Sequence, residues 1–556
     1  MSSPWLPADV RLIDERGESL VKKRPDPTMR ADHPLITTVV ALVVVAGLVL
    51  LATRSSGEAP QSGGAPAPVE ESPPPASGEP HGLTVVDAAD VVGVEEAELA
   101  YDGGIDVSVT YPVIPNAAPL TDFLERELTD EVHAFEAANP GAASFEAEWN
   151  LTAAGDGLLG VRMTRTETDS EGSREGYTTY WYDTATAAHH PSSALVAGQR
   201  ELEELNGLVR ESVGNGDGDG SAANPDTIHP ISSLYDSVGF NPDGDLVVEF
   251  DAGQVAPAGE GRMYAVIDAE EAEGLLSDLG RHVRDVATVG VEDFAIAAPP
   301  EADKDGQDEG GPVPGGPTAV NEDVDCSAPE TRCVALTYDD GPGARTPELL
   351  DALAEYDARA TFFVTGRPVM EHPHTVRRAY AEGHEIANHT LDHSDLAGLG
   401  EGGVRHELDV VQALVYRETG HTMNLMRPPY GSTDEGVASV TANMGLAQIL
   451  WSVDPLDWKD RDASVVHDRV MAGASEGAII LMHDIHGTTI DASRTIIREL
   501  DARGYTMVTV SQLLGTTTPG EVYVDGVPDD APEEGTEPSE DDEPSGTPSD
   551  EASEEA

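Results

Sequence analysis

The stretch Val334-Ala335-Leu336-Thr337-Tyr338-Asp339-Asp340-Gly341-Pro342 decides the fold. Five strand-forming residues run directly into two carboxylates and a Gly-Pro turn. A short apolar run bounded by turn residues reads as a strand buried on both faces, as in a parallel sheet. Six more such runs follow, at 361–365, 385–388, 425–427, 449–453, 479–482 and 506–510. Helical patterns fall between them, for example at 346–356, 403–419 and 492–503. This alternation predicts an α/β domain of about seven parallel strands with helices outside, barrel-like, with its chemistry at the C-terminal strand ends.

Four further motifs lie at or near those ends: His389-Thr390-Leu391-Asp392-His393, Arg427-Pro428-Pro429-Tyr430-Gly431, Asp454-Pro455-Leu456-Asp457-Trp458 and Leu481-Met482-His483-Asp484. Neighbouring residues at a strand end point in different directions, so Asp339 and Asp340 can take separate tasks. His389 and His393 are four apart, and on a helical turn both rings would reach one ion. With Asp340 they would form a His-His-Asp site open to water and substrate. His483 ends an apolar strand and is placed for general acid work. His384 and Glu385 do not extend this set, because the spacing to His389 breaks the His-Glu-x-x-His pattern. Together the motifs form a kit for metal-assisted hydrolysis.

The five motifs, in this order, resemble those of the polysaccharide deacetylases, the NodB-type carbohydrate esterases. The resemblance implies a distorted (β/α) barrel and hydrolysis of acetyl groups on sugars. It implies a divalent metal on Asp340, His389 and His393, with Zn2+ first and Co2+, Ni2+ or Mn2+ as alternatives. It makes Asp339 the base, held by Arg427, and gives the Tyr430 N–H to the oxyanion. His483 becomes the acid paired with Asp457, while Trp458, Leu481 and Pro429 line the substrate pocket. Tyr338 stands where the family usually has Phe, a conservative departure. The expected substrate is an acetylated cell-wall glycan, peptidoglycan foremost, with chitooligosaccharide or acetylxylan as alternatives.

The rest of the chain frames this domain. Residues 81–298 carry alternating stretches (105–111, 160–165) and helical ones (120–138, 202–213), predicting an α+β domain with an antiparallel sheet. Within it, 244–261 resembles an extracellular domain of unknown function that accompanies some bacterial peptidoglycan deacetylases. A wall-binding or lysozyme-sensing role for this domain is the alternative from another class. Residues 54–80 and 299–325 read as linkers, and 516–556, with fifteen acids and no Lys or Arg, as a solvated tail. The catalytic domain is then 326–515. Its two cysteines, Cys326 and Cys333, are placed for a disulfide outside the cytoplasm, or are two free thiols.

Residues 35–53 are 19 uncharged, mostly apolar residues, roughly 28 Å as a helix. Six basic residues precede them within 1–34 and only Arg54 follows closely. The positive-inside rule predicts a single-pass anchor with the remainder outside the cell. A cleaved signal peptide is the other reading, although both the apolar run and its leader are long for one. Lys plus Arg is 32 and Asp plus Glu is 103, a net charge of −71, which excludes nucleic acid as a partner.

Overall fold

The computed structural model describes residues 82–526, except 140, 171, 216–222, 292, 298–313, 317, 318, 322 and 329. The predicted anchor and stalk, most of the 299–325 linker and the tail beyond 526 lie outside the described residues. Among the described residues no helix is long and apolar enough to cross a membrane.

The first part holds two sheets. Strands β1 (Glu95–Glu98), β2 (Asp106–Val113), β3 (Ser144–Gly155), β4 (Leu158–Thr168), β5 (Ser173–Asp183) and β6 (Ala188–Pro191) form one sheet in sequence order. It is antiparallel except at β2–β3, which pair in parallel. The expected antiparallel pairing is found at every step of this sheet except β2–β3. The 21-residue helix Ala118–Ala138 joins β2 to β3, and a connection of that length permits a crossover where a hairpin turn would not. The helix buries Leu120, Leu124, Leu128, Val132 and Phe135, an apolar stripe at helical spacing. Strands β7 (Val238–Phe240), β8 (Leu246–Phe250) and β9 (Met263–Ile267) form an antiparallel second sheet.

The second part is one parallel sheet. Its strands are β10 (Arg332–Asp339), β11 (Thr361–Val364), β12 (Glu385–Asn388), β13 (Leu425–Met426), β14 (Ala447–Ile449), β15 (Ile479–His483), β16 (Tyr505–Val508) and β17 (Val522–Tyr523). The order is β15-β10-β11-β12-β13-β14-β17, with β16 also on β10. Strand β10 therefore lies centrally, and its neighbours bring Asp339 level with His483 on β15. The sheet has eight strands where about seven are predicted. The extra one, β17, lies in the segment read as tail: Val522 and Tyr523 pair with Gln448 and Ile449. Backbone pairing at a sheet edge needs no apolar run, so composition concealed it. The 449–453 strand is also shorter and earlier than expected, ending at Ile449.

The two parts share one apolar cluster, in which Leu234, Tyr235 and Val255 join Tyr380, Val411 and Val415. The helix Glu401–Thr419 ends against the first part. Ser232 Oγ donates to Thr419 O at 3.2 Å and Ser233 Oγ to Glu418 O at 2.6 Å, satisfying carbonyls that a helix end leaves without partners. Gly420 closes the helix at φ 71°, and a Cβ there would come within 1.8 Å of Ser232 Oγ. Arg417 pairs with Glu167 at 2.8 Å and Arg377 donates to Gln254 O at 3.1 Å. This junction encloses a cavity of about 460 Å³ lined by Glu131, Arg165, Tyr180, Asp236 and Tyr416 among others. No residue of the five motifs lines it.

Candidate active site

Strand β10 ends at Asp339, which is 3 % exposed, and the chain turns there because Asp340 takes φ 71°. The turn separates the two carboxylates. Asp339 faces inward to Arg427, whose Nη1 donates to Asp339 Oδ1 at 2.6 Å. Arg427 is fully buried and spends its other donors on Thr337 Oγ1 (2.8 Å), Ile449 O (3.1 Å) and Leu450 O (3.0 Å). Its guanidinium lies 4.0 Å from the Phe363 ring centre, a stacked position that fixes the fork. Burial raises the Asp339 pKa above the usual carboxylate range, and Arg427 opposes that shift. A buried carboxylate of this kind is a stronger base than a solvated one.

Asp340 faces the histidines. Its Oδ1 lies 3.5 Å from His389 Nε2 and 3.3 Å from His393 Nε2, and the three ligand atoms lie within 4.8 Å of one another. Asp340 Oδ1 is buried and has no hydrogen-bond partner. An orphaned carboxylate oxygen facing two imidazole nitrogens fits a divalent ion. The ring tautomers agree. His389 Nδ1 donates to Arg427 O at 2.7 Å, which leaves Nε2 as the ligand atom. His393 Nδ1 meets Tyr430 Oη at 3.1 Å. Burial drives the His389 pKa down to about 3, with the Asp340 charge opposing, so the ring is a neutral ligand.

The helical turn expected for 389–393 is absent. These residues form a loop in which Thr390 and His393 have φ 72° and 54°, and the histidine ring centres still come within 4.9 Å. Asn388, at the end of β12, bonds Leu408 O through Nδ2 and takes the Thr390 N–H on Oδ1, which fastens the start of the loop. Of the eleven non-glycine residues with positive φ among those described, Asp340, Thr390, His393, Tyr430 and Leu456 lie in the motifs. Such backbone costs of order 1–3 kcal/mol per residue and persists only where the surroundings hold it.

His483 ends β15. Its Nδ1 bonds Asp457 Oδ1 at 2.8 Å, and its backbone N–H donates to Asp457 Oδ2, also at 2.8 Å. Thr489 Oγ1 adds a third bond to that carboxylate at 2.7 Å. Burial disfavours the imidazolium, but the Asp457 hydrogen bond and charge, with Asp339 and Asp340 behind them, push the His483 pKa up to about 9. Asp457 is itself held below its usual range: burial works against its charge, and the bonds from His483 and Thr489 overcome it.

Of the pocket residues, Leu481 and Pro429 are buried, while Trp458 is 48 % and Tyr430 73 % exposed. Exposed aromatic faces beside the acid and the ion site can meet a sugar. Cys326 and Cys333 form a disulfide with Cα atoms 5.6 Å apart. His384 lies away from the site, 3 % exposed, its Nδ1 accepting from Ala360 N.

Several contributors were not foreseen. The Arg427 carbonyl and the Tyr430 hydroxyl orient the two histidines, so one motif positions both ligands. Asp484, 1 % exposed, takes a hydrogen bond from Thr346 Oγ1, which in turn accepts from the Gly343 N–H at 2.8 Å, tying the fifth motif to the turn after Asp340. Only Asp484's place directly after His483 signalled it.

A buried base, an Asp-His-His group that could hold a metal ion and a histidine held protonated meet at the ends of one parallel sheet, an arrangement suited to hydrolysis. A family model described as polysaccharide deacetylase matches residues 327–449. The peptidoglycan-N-acetylglucosamine deacetylase PgdA of Listeria monocytogenes is 40 % identical over 200 residues, 36 % of this chain and 42 % of that one. The peptidoglycan-N-acetylmuramic acid deacetylase PdaC of Bacillus subtilis is 41 % identical over 186 residues, 33 % and 39 % of the two chains. A chitooligosaccharide deacetylase of Sinorhizobium fredii is 43 % identical over 153 residues, 27 % of this chain and 71 % of that one. The chain belongs to the polysaccharide deacetylase family. It spans about two fifths of the length of the first two of these relatives.

Proposed function

We propose that this protein is a metal-dependent deacetylase that removes N-acetyl groups from cell-wall glycan, peptidoglycan foremost. The observation that carries the reading is the Asp340–His389–His393 cage between an Arg-held Asp339 and an Asp-held His483. A divalent ion, zinc by the donor set, would supply Lewis acidity and a more acidic water.

The protein groups do the rest. Asp339 takes a proton from the attacking water, and Arg427 keeps its free oxygen aimed at the site. The Tyr430 backbone N–H serves the developing oxyanion, a donor of a kind worth about 3 kcal/mol in the transition state. His483, charged at neutral pH, gives its proton to the departing sugar nitrogen, and acetate is released. Leu481 and Pro429 border the acetyl methyl, and Trp458 offers a face to the sugar.

Peptidoglycan is favoured by the two peptidoglycan deacetylases among the relatives. The chitooligosaccharide deacetylase keeps a shorter glucosamine polymer as the second reading. The apolar run 35–53 and the basic residues before it support a single-pass anchor with the sheet domains outside the cell. The deciding experiment incubates the zinc-loaded full chain with insoluble peptidoglycan, chitooligosaccharide and acetylxylan, beside a His389→Ala control, and measures acetate. Acetate from peptidoglycan, lost in the control, is the expected result. Acetate from another polymer alone moves the substrate, and acetate from none refutes the activity.

A further inference from the structure

The loop between the two histidine ligands is strained at Thr390 and His393, so its shape must be imposed from outside. The helix Glu401–Thr419 imposes it. Glu407, 8 % exposed, reaches the loop with both oxygens: Oε2 accepts from the Asp392 N–H at 3.0 Å and Oε1 from Ser394 Oγ at 2.6 Å. The backbone carbonyl of Glu407 takes the Leu391 N–H at 2.9 Å. One residue later, Leu408 O receives Asn388 Nδ2 at 2.9 Å, while Asn388 Oδ1 accepts from the Thr390 N–H at 2.9 Å. The segment 388–394 is thus stitched to one turn of one helix.

We infer that Glu407 is a positioning residue for the metal site, holding His389 and His393 at ligand spacing through the loop between them. The inference rests on the metal-site reading above. Glu407 touches neither histidine, and its acceptors bind the donors immediately before and after His393. A side chain with two polar ends fits there because Asp392 N–H and Ser394 Oγ–H both meet it in part-buried hydrogen bonds. An apolar side chain leaves both unsatisfied and frees the loop to relax towards ordinary backbone angles, which separates the imidazoles.

The test measures zinc affinity of the full chain by competition with a chromophoric chelator, and the visible spectrum of the cobalt form. Glu407→Leu should weaken zinc binding about 10- to 100-fold and alter the cobalt bands. Glu407→Gln should stay within about threefold, since its oxygen can accept from Asp392 and its NH2 can donate to Ser394 Oγ. Val411→Ala, buried in the apolar cluster one turn further along the same helix, should lower the melting temperature and leave zinc affinity unchanged. If Glu407→Leu does not fold, Ser394→Ala removes one of the two bonds and should still weaken zinc measurably. Parental affinity in Glu407→Leu, or in Ser394→Ala where that variant stands in for it, overturns the inference, as does equal weakening in Val411→Ala. A parent chain that binds no divalent ion removes the metal site itself, and this inference with it.

Discussion

Replacing Asp457 by Asn tests the assignment of His483 most directly. Asn keeps the shape and, with its oxygen in the Oδ2 position, still accepts from the His483 N–H and Thr489, but its NH2 then faces the ring nitrogen, so the charge and the acceptor for the protonated ring are both removed. The His483 pKa of about 9 exists because Asp457 outweighs burial, so the variant should titrate at or below the ordinary value of 6.5. At pH 7.5 the protonated fraction then falls from nearly all to about a tenth, and the acid-limited rate about tenfold; at pH 8 the loss is about thirtyfold. The alkaline limb of kcat/KM for acetate release should therefore move down by about 2.5 pH units. The same shift has a stability arm. The folded-state pKa lies above the unfolded one, so the stabilisation is complete below about pH 6.5 and is lost as pH rises through about 9. In EDTA, urea unfolding of the parent should lose about 3 kcal/mol across that window, and the variant much less. An Asp457→Asn enzyme whose alkaline limb stays near 9 would refute the reasoning.

Two more outcomes follow from buried contacts. Arg427→Met leaves the Asp339 carboxylate buried without its partner and should cost about 3–5 kcal/mol on top of losing activity; a thermal melt within about 2 °C of the parent would show that the pair is not holding the site. Ser232→Ala with Ser233→Ala strips the donors from the last carbonyls of the Glu401–Thr419 helix and should cost about 1–3 kcal/mol, read by urea unfolding. No change in that measurement would mean that water satisfies those carbonyls equally well.

The residues that do chemistry were readable from the sequence because their side-chain type is the function. Only a carboxylate, an imidazole or a guanidinium serves at Asp339, His389 or Arg427, and each lies at or beside the end of an apolar run that marks its strand. What escaped is what the backbone decides. The Arg427 carbonyl that fixes His389 carries no residue signature, and any residue there would present one. Four-residue spacing fits a helical turn as well as a loop with two left-handed residues, and the bonds that hold the loop come from Asn388 and from the distant Glu407, which spacing does not show. Strand β17 hides in an acidic segment because its pairing uses main-chain groups alone.

The same distinction explains why the site tolerates so much strain. Asp340, Thr390, His393, Tyr430 and Leu456 all adopt backbone that an isolated peptide would leave. Four of them sit beside a side chain that bonds the local turn: Asp484 for the turn after Asp340, Glu407 and Asn388 for the histidine loop with Thr390 and His393, Asp454 for the Leu456 N–H at 2.8 Å. Two of these holders, Asp484 and Glu407, come from a different motif or helix than the groups they hold. The geometry is therefore set only once the whole sheet has assembled, and a change in a holder should act on ligand spacing before it acts on the fold.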